Sequence, residues 1–112
     1  MIYYMHLDNN PFQEIKEGSK TVEIRLNDEK RSKLTLNDKI NFINRETSEN
    51  LLTGIVSLKT YKTYEELVHG TFLGAFGPRY SNKQELLEKS FAYYSKKDQL
   101  KYGLLRIGLK LV

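Results

Sequence analysis

The sequence predicts an α+β domain: a small mixed or antiparallel barrel of about five to six strands flanked by short helices. Three observations carry this reading. Runs such as Val22-Ile24-Leu26, Ile40-Phe42 and Leu105-Ile107-Leu109-Leu111 keep the two-residue apolar period of half-buried strands. The helical stretches between them are short and bounded by recognisable start and stop signals. No regular alternation of strand and helix occurs, which argues against a doubly wound parallel sheet.

Taken in order, Ile2 to Leu7 is an aromatic-rich first strand that brings His6 to its C-terminal end. A lone histidine there reads as a structural hydrogen-bonder. Asn9 or Asn10 caps a helix with Pro11 at its first position, where the missing amide hydrogen costs nothing. Phe12 and Ile15 share the buried face, and Gly18 ends the helix in the left-handed conformation. The chain then enters a strand in which Val22, Ile24 and Leu26 face a core, while Thr21, Glu23 and Arg25 form a row on the opposite side. Asn27 to Ser32 is a polar excursion of one helical turn, after which Leu34 and Leu36 resume the two-residue period. Asn37-Asp38 is a turn, with Asn suited to positive φ.

Ile40 and Phe42 mark the next strand, Arg45 to Asn50 a hairpin connection, and Leu52 to Tyr61 a long returning strand in which Gly54 signals a bulge or close approach. Thr63 with Glu66 is a capping box for a short helix that Gly70 terminates. The segment Thr71 to Tyr80, punctuated by Gly74, Gly77 and Pro78, reads as an ordered loop over the barrel mouth. Ser81 with Gln84 makes a second capping box, and Leu87, Phe91 and Tyr94 are the expected buried stripe of the following helix. Leu105 to Leu111 is a last strand that closes the sheet.

At 112 residues this is a single domain, residues 1–112, with one main core. No apolar run approaches the roughly 20 residues that cross a bilayer, and the N-terminus has no charged leader followed by an apolar stretch and cleavage site, so a cytoplasmic protein without membrane partners is expected. The lack of cysteine removes disulfides and thiolate metal ligands. His6 and His69 are far apart and form no ligand cluster, so no metal and no cofactor is expected, although carboxylates could still hold magnesium at a phosphate. The excess of 18 basic over 14 acidic residues suits a polyanion or nucleotide partner. No protein partner is indicated.

On pattern alone the Thr21-Glu23-Arg25 row is the solvated face of an amphipathic strand with an incidental ion pair. Gly18-Ser19-Lys20-Thr21 matches the end of a phosphate-binding loop, but the upstream glycine spacing is missing. Resemblance says more. Pro11-Phe12 to Ile15, Gly18-Ser19-Lys20-Thr21-Val22-Glu23-Ile24-Arg25-Leu26, and then Asp28, Lys30 and Arg31 resemble the signature of the ASCH domain, a PUA-like family; Asp38 to Phe42, Tyr64 to Leu67 and Tyr93-Tyr94 to Tyr102-Gly103 follow in the same order.

The resemblance implies a PUA-like pseudo-barrel whose first helix and Lys20-to-Arg25 row border a polar cleft for RNA or a modified nucleobase or nucleoside. Thr21, Glu23 and Arg25 would meet a base edge, Lys20, Arg31 and Lys33 would neutralise phosphate, and Tyr94 and Tyr102 would lie beside the cleft, with core packing as their plainer role. The family also contains small amidohydrolases that deacetylate N4-acetylcytidine with a lysine, a threonine and a glutamate. Lys20 matches that lysine, but Glu23 stands where the threonine is expected. Glu85 and Glu88 are counterparts of the glutamate by region only. Without the threonine, Glu23 would serve as general base toward water, with Lys20 or Arg25 stabilising the developing charge. A ribonuclease using the same basic cleft is the third alternative.

Overall fold

The computed structural model describes residues 1–112. Five strands, β1 (Ile2–Leu7), β2 (Val22–Leu26), β3 (Lys39–Asn44), β4 (Asn50–Tyr61) and β5 (Leu104–Leu111), form one sheet in the order β1-β3-β4-β5-β2. β1 runs parallel to β3 and the other pairings are antiparallel, so the sheet is mixed. It curls into a half-barrel with four helices around it: α1 (Asn9–Glu17), α2 (Tyr64–His69), α3 (Lys83–Tyr93) and α4 (Lys96–Tyr102). The last strand does not close the sheet. β5 is an inner strand, long enough to pair with β4 on one side and β2 on the other, and the edges fall to β1 and β2.

The curl follows from a bulge in β4 between Ile55 and Ser57, which bends the strand and increases its twist. The bulge lies just beyond Gly54. At Gly54 itself the constraint is space, because an added Cβ would come within 3.0 Å of the Lys110 side chain.

Two cores result. The inner one lies on the concave face, where Phe12 and Ile15 of α1 pack against Ile40, Phe42 and Ile107, none more than 2% exposed. The second lies behind the opposite face of β2 and β5, where Val22 and Leu104 meet Leu67 and Val68 of α2, Phe76 and Leu86. β5 feeds both: Leu105, Ile107 and Leu109 point to the inner core and Leu104 to the second.

Several local expectations are corrected. α1 begins at Asn9 behind Asp8, not at Pro11, and makes no side-chain cap because Arg45 Nη1 takes the Asp8 carboxylate at 2.9 Å. Leu34 is buried but Leu36 is exposed and no strand forms there. The turn at Thr35 to Asp38 is closed by the Asp38 carboxylate, which accepts from the Thr35 amide and hydroxyl, and Asn37 needs no positive φ. α3 is capped by Asn82, one residue after Ser81, through the Glu85 amide. Its buried face is Leu86 and Ser90, whereas Phe91 is exposed. The reason is α4, which the sequence reading missed: Gln99 packs over Ser90 and donates to the Ser90 and Tyr94 carbonyls at 3.3 and 3.0 Å.

Candidate functional site

Gly18 does what its position suggested. Its φ of 83° turns the chain out of α1, and the Glu14 carbonyl then accepts from the amides of both Ser19 and Lys20 at 3.0 and 3.1 Å. Thr21 next joins two elements, donating its amide to Ala75 and accepting from the Leu109 amide. Lys20 is therefore fixed at the entrance of β2 by backbone bonds on both sides.

β2 sends Val22 into the second core, with Ile24 and Leu26 packed against it. The polar residues are not on a solvated face. In register, Glu23 lies opposite Ile107 and Arg25 opposite Leu105, both inner-core residues, so Glu23 and Arg25 occupy the concave face at the sheet's β2 edge. Glu23 is 8% exposed and Lys20 7%. Arg25 Nη2 donates to Glu23 Oε2 at 2.9 Å and to the His6 carbonyl at 3.0 Å, tying edge strand β2 to edge strand β1. The opening of the half-barrel is thus bridged by a side chain of the site. Glu23 Oε1 accepts from the Ile24 amide at 3.2 Å and faces Lys20 Nζ at 3.9 Å, beyond hydrogen-bonding range.

The three charges are held differently. Burial alone would raise the Glu23 carboxyl, but the adjacent Arg25 and Lys20 outweigh it and hold the group below its ordinary 4.5. Arg25 is likewise pulled down by burial and raised on balance by Glu23. For Lys20 burial wins: its ammonium is pushed below 10.5 despite the attraction of Glu23 and Glu14. Lys20 Nζ makes no hydrogen bond, so it is a buried cation with donors to offer.

These residues floor a cleft of about 750 Å³, a volume in the range of small-molecule sites. One wall is His6 and the start of α1; the other is Phe76, Arg79, Tyr80 and the end of α3 with Tyr93 and Tyr94. Tyr64 also lines it, and burial raises the phenols of Tyr64, Tyr80 and Tyr94, keeping them neutral hydrogen-bonding and stacking surfaces. Tyr94 donates its hydroxyl to the Ile24 carbonyl at 3.0 Å, pinning the end of α3 on β2.

Of the sequence-predicted site residues, Lys20, Glu23, Arg25 and Tyr94 converge on this cleft. Arg31 is turned to Asp28 at 2.7 Å, Lys33 borders a separate shallow depression with Met1 and Tyr3, and Tyr102 packs near Lys101. Thr21 is exposed and contributes only its backbone. Glu85 is turned back to the Ser81 amide, and neither it nor the exposed Glu88 lines the cleft. The residues missed are Glu14 and Arg79: Arg79 Nε donates to Glu14 Oε1 at 2.9 Å, and Glu14 is 6% exposed. Gly77 makes room for that carboxylate, since a Cβ there would press on it at 3.2 Å. No group of three histidine, aspartate or glutamate side chains converges to hold a metal ion, and no helix is long and apolar enough to cross a membrane.

A curled mixed half-barrel with short helices and a charged cleft at its open edge defines a PUA-like α+β domain. Solved structures agree. The chain superimposes on the crystal structure of hypothetical protein PH0355 with a TM-score of 0.88, at 25% identity over the full length of both chains. The solution NMR structure of protein PF0455 from Pyrococcus furiosus gives 0.78 at 25% identity, covering 100% of this chain and 98% of that one. An ASCH domain from Lactobacillus crispatus shares the fold at a TM-score of 0.66, with 11% identity over 98% of this chain and 79% of that one. No curated protein matches the sequence. The family model of the ASCH domain matches residues 5–109, and the chain belongs to that family.

Proposed function

We propose that the protein binds RNA or a modified nucleobase or nucleoside in the cleft floored by Lys20, Glu23 and Arg25. One observation carries the reading: a buried carboxylate and a buried ammonium lie beside a half-buried guanidinium at the base of a cavity with tyrosines on its walls. A base edge presents alternating donors and acceptors, and a partner of that kind can use Glu23 as acceptor and Lys20 as donor together. Family membership and the PUA-like fold support the same ligand class.

Amide hydrolysis of an N4-acylated cytidine is the second reading, favoured by Lys20, whose unbonded ammonium is pushed below its ordinary 10.5 by burial, a shift in the direction that suits proton transfer. In that chemistry Glu23 accepts a proton from water as the water oxygen adds to the acyl carbon, with Lys20 or Arg25 stabilising the oxyanion; the adduct then collapses, the acyl C–N4 bond breaks, and the proton held by Glu23 passes to the departing N4, releasing the carboxylic acid and cytidine. The lowered Glu23 carboxyl makes a weak base, which favours binding over turnover. Titrating the protein against N4-acylated and unmodified nucleosides and a mixed RNA pool tests both. Saturable binding without product supports the binding module; release of acid supports the hydrolase; strand cleavage points to a ribonuclease. No binding and no product in any arm removes the nucleic-acid reading.

A further inference from the structure

We propose that Lys20 and Arg79 form an oxyanion subsite within the cleft, which takes the phosphate of a nucleotide. Both side chains line the same cavity and both have donors that no protein atom uses. Lys20 Nζ has only the long 3.9 Å approach to Glu23. Arg79 is clamped through Nε by the buried Glu14 carboxylate and lies 5.4 Å from the Tyr80 ring centroid, which fixes its guanidinium plane. Its two terminal nitrogens make no hydrogen bond within the protein, so a planar pair of donors is left oriented and unspent.

The charge balance points the same way. Around the floor, Lys20, Arg25 and Arg79 face Glu14 and Glu23, and the two carboxylates are engaged by Arg79 and Arg25 respectively. Lys20 is the cation left over. Burial works hardest against its ammonium and outweighs the attraction of Glu23 and Glu14, and a bound anion beside it would favour the charged form. Of the phosphate-binding residues expected from the sequence, Lys20 stays in the cleft while Arg31 and Lys33 stand elsewhere; Arg45, which also lines the cleft, is exposed and paired with Asp8, so Arg79 is the partner left to Lys20. The assignment to a nucleotide rests on the nucleobase reading of the cleft; the anion subsite itself does not.

The test follows the Arg79 Nε–H and Lys20 amide signals by NMR while millimolar inorganic phosphate is added, and measures affinities of nucleosides and their 5′-monophosphates by calorimetry. The Lys20 amide response and the affinities are measured again on Glu14→Gln/Arg79→Gln, a double variant that removes both charges and can keep a neutral side-chain hydrogen bond. The expected result is that phosphate shifts both signals, and that a monophosphate binds at least about tenfold tighter than its nucleoside, the scale of charge-assisted hydrogen bonds. In the double variant the phosphate shift of the Lys20 amide and the advantage of a monophosphate over its own nucleoside both disappear. Absence of a phosphate response in the parent protein, or its persistence in the double variant, overturns the subsite even if nucleosides bind. A phosphate response that the double variant loses, with no nucleoside or nucleotide binding, upholds the subsite and removes the nucleobase reading instead.

Discussion

Replacing Glu23 by glutamine changes charge with almost no change of shape, and its effect reports whether the floor of the cleft is part of the structure. The carboxylate serves three positive or polar neighbours: Arg25 at 2.9 Å, the Ile24 amide at 3.2 Å and Lys20 at 3.9 Å. A glutamine carbonyl can answer one side of that set, and its amide must then face a donor. Removing one partner of a buried pair costs about 3–5 kcal/mol, and the cleft's access to water places the loss at the lower end, about 3 kcal/mol. With urea m-values of about 1–3 kcal/mol/M, that moves the unfolding midpoint by about 1–3 M at neutral pH. The difference is pH-dependent. Because Glu23 is held below 4.5, the stabilisation is complete above that value and is lost as pH falls through the lowered folded-state value. The parent and Glu23→Gln curves therefore converge in acid. A loss under about 1 kcal/mol, the size of an exposed ion pair, or a gap that stays constant in acid, would refute the buried-pair argument.

Three further outcomes can be checked alongside it. Arg25→Lys should lose about 1–3 kcal/mol in urea unfolding, because an ammonium cannot reproduce the two Nη2 bonds that join Glu23 to the β1 edge at His6. Tyr94→Phe should cost about 1 kcal/mol and accelerate amide exchange along β2, since the lost hydroxyl holds the end of α3 on the Ile24 carbonyl. Lys33→Ala should leave the affinity for a nucleoside unchanged, as its side chain borders a different depression; a marked loss by calorimetry would place ligand outside the cleft.

The parts of this molecule that were legible in the sequence are those written in local code. Gly18 as a left-handed helix stop, Thr63 as a cap bonded by the Glu66 amide, and the alternation of β2, β3 and β5 all depend on neighbours a few residues away. What was not legible depends on which face of an element meets which neighbour. The Glu23-Arg25 row looks like a solvent face because one side of β2 is apolar, yet β2 packs its apolar side on α2 and α3, and its polar side turns into the half-barrel. Glu14 gave no signal, lying beside the Phe12-Ile15 stripe with a partner 65 residues away. Arg79 was hidden in a segment without periodicity, and α4 carries no apolar stripe, since Gln99 is its buried contact.

Lys20 separates stability from function most sharply. Glu23 and Arg25 each have their charged form favoured by the fold, whereas burial pushes Lys20 the other way. Its folded-state value lies below 10.5, so the protonated lysine opposes folding at neutral pH, and that cost is relieved only as pH rises from the lowered value toward 10.5. Lys20→Met should therefore leave stability equal or higher: methionine fills a similar volume without an ammonium to desolvate, and Glu23 keeps Arg25 and the Ile24 amide. Ligand binding should be abolished in the same variant. Lys20→Arg should retain binding through its charge but eliminate any deacylation that needs a proton to leave the side chain. Thermal and urea unfolding set beside calorimetry decide the case. A Lys20→Met protein destabilised by several kcal/mol would make the lysine a structural partner of Glu23, and unchanged affinity would remove it from the site.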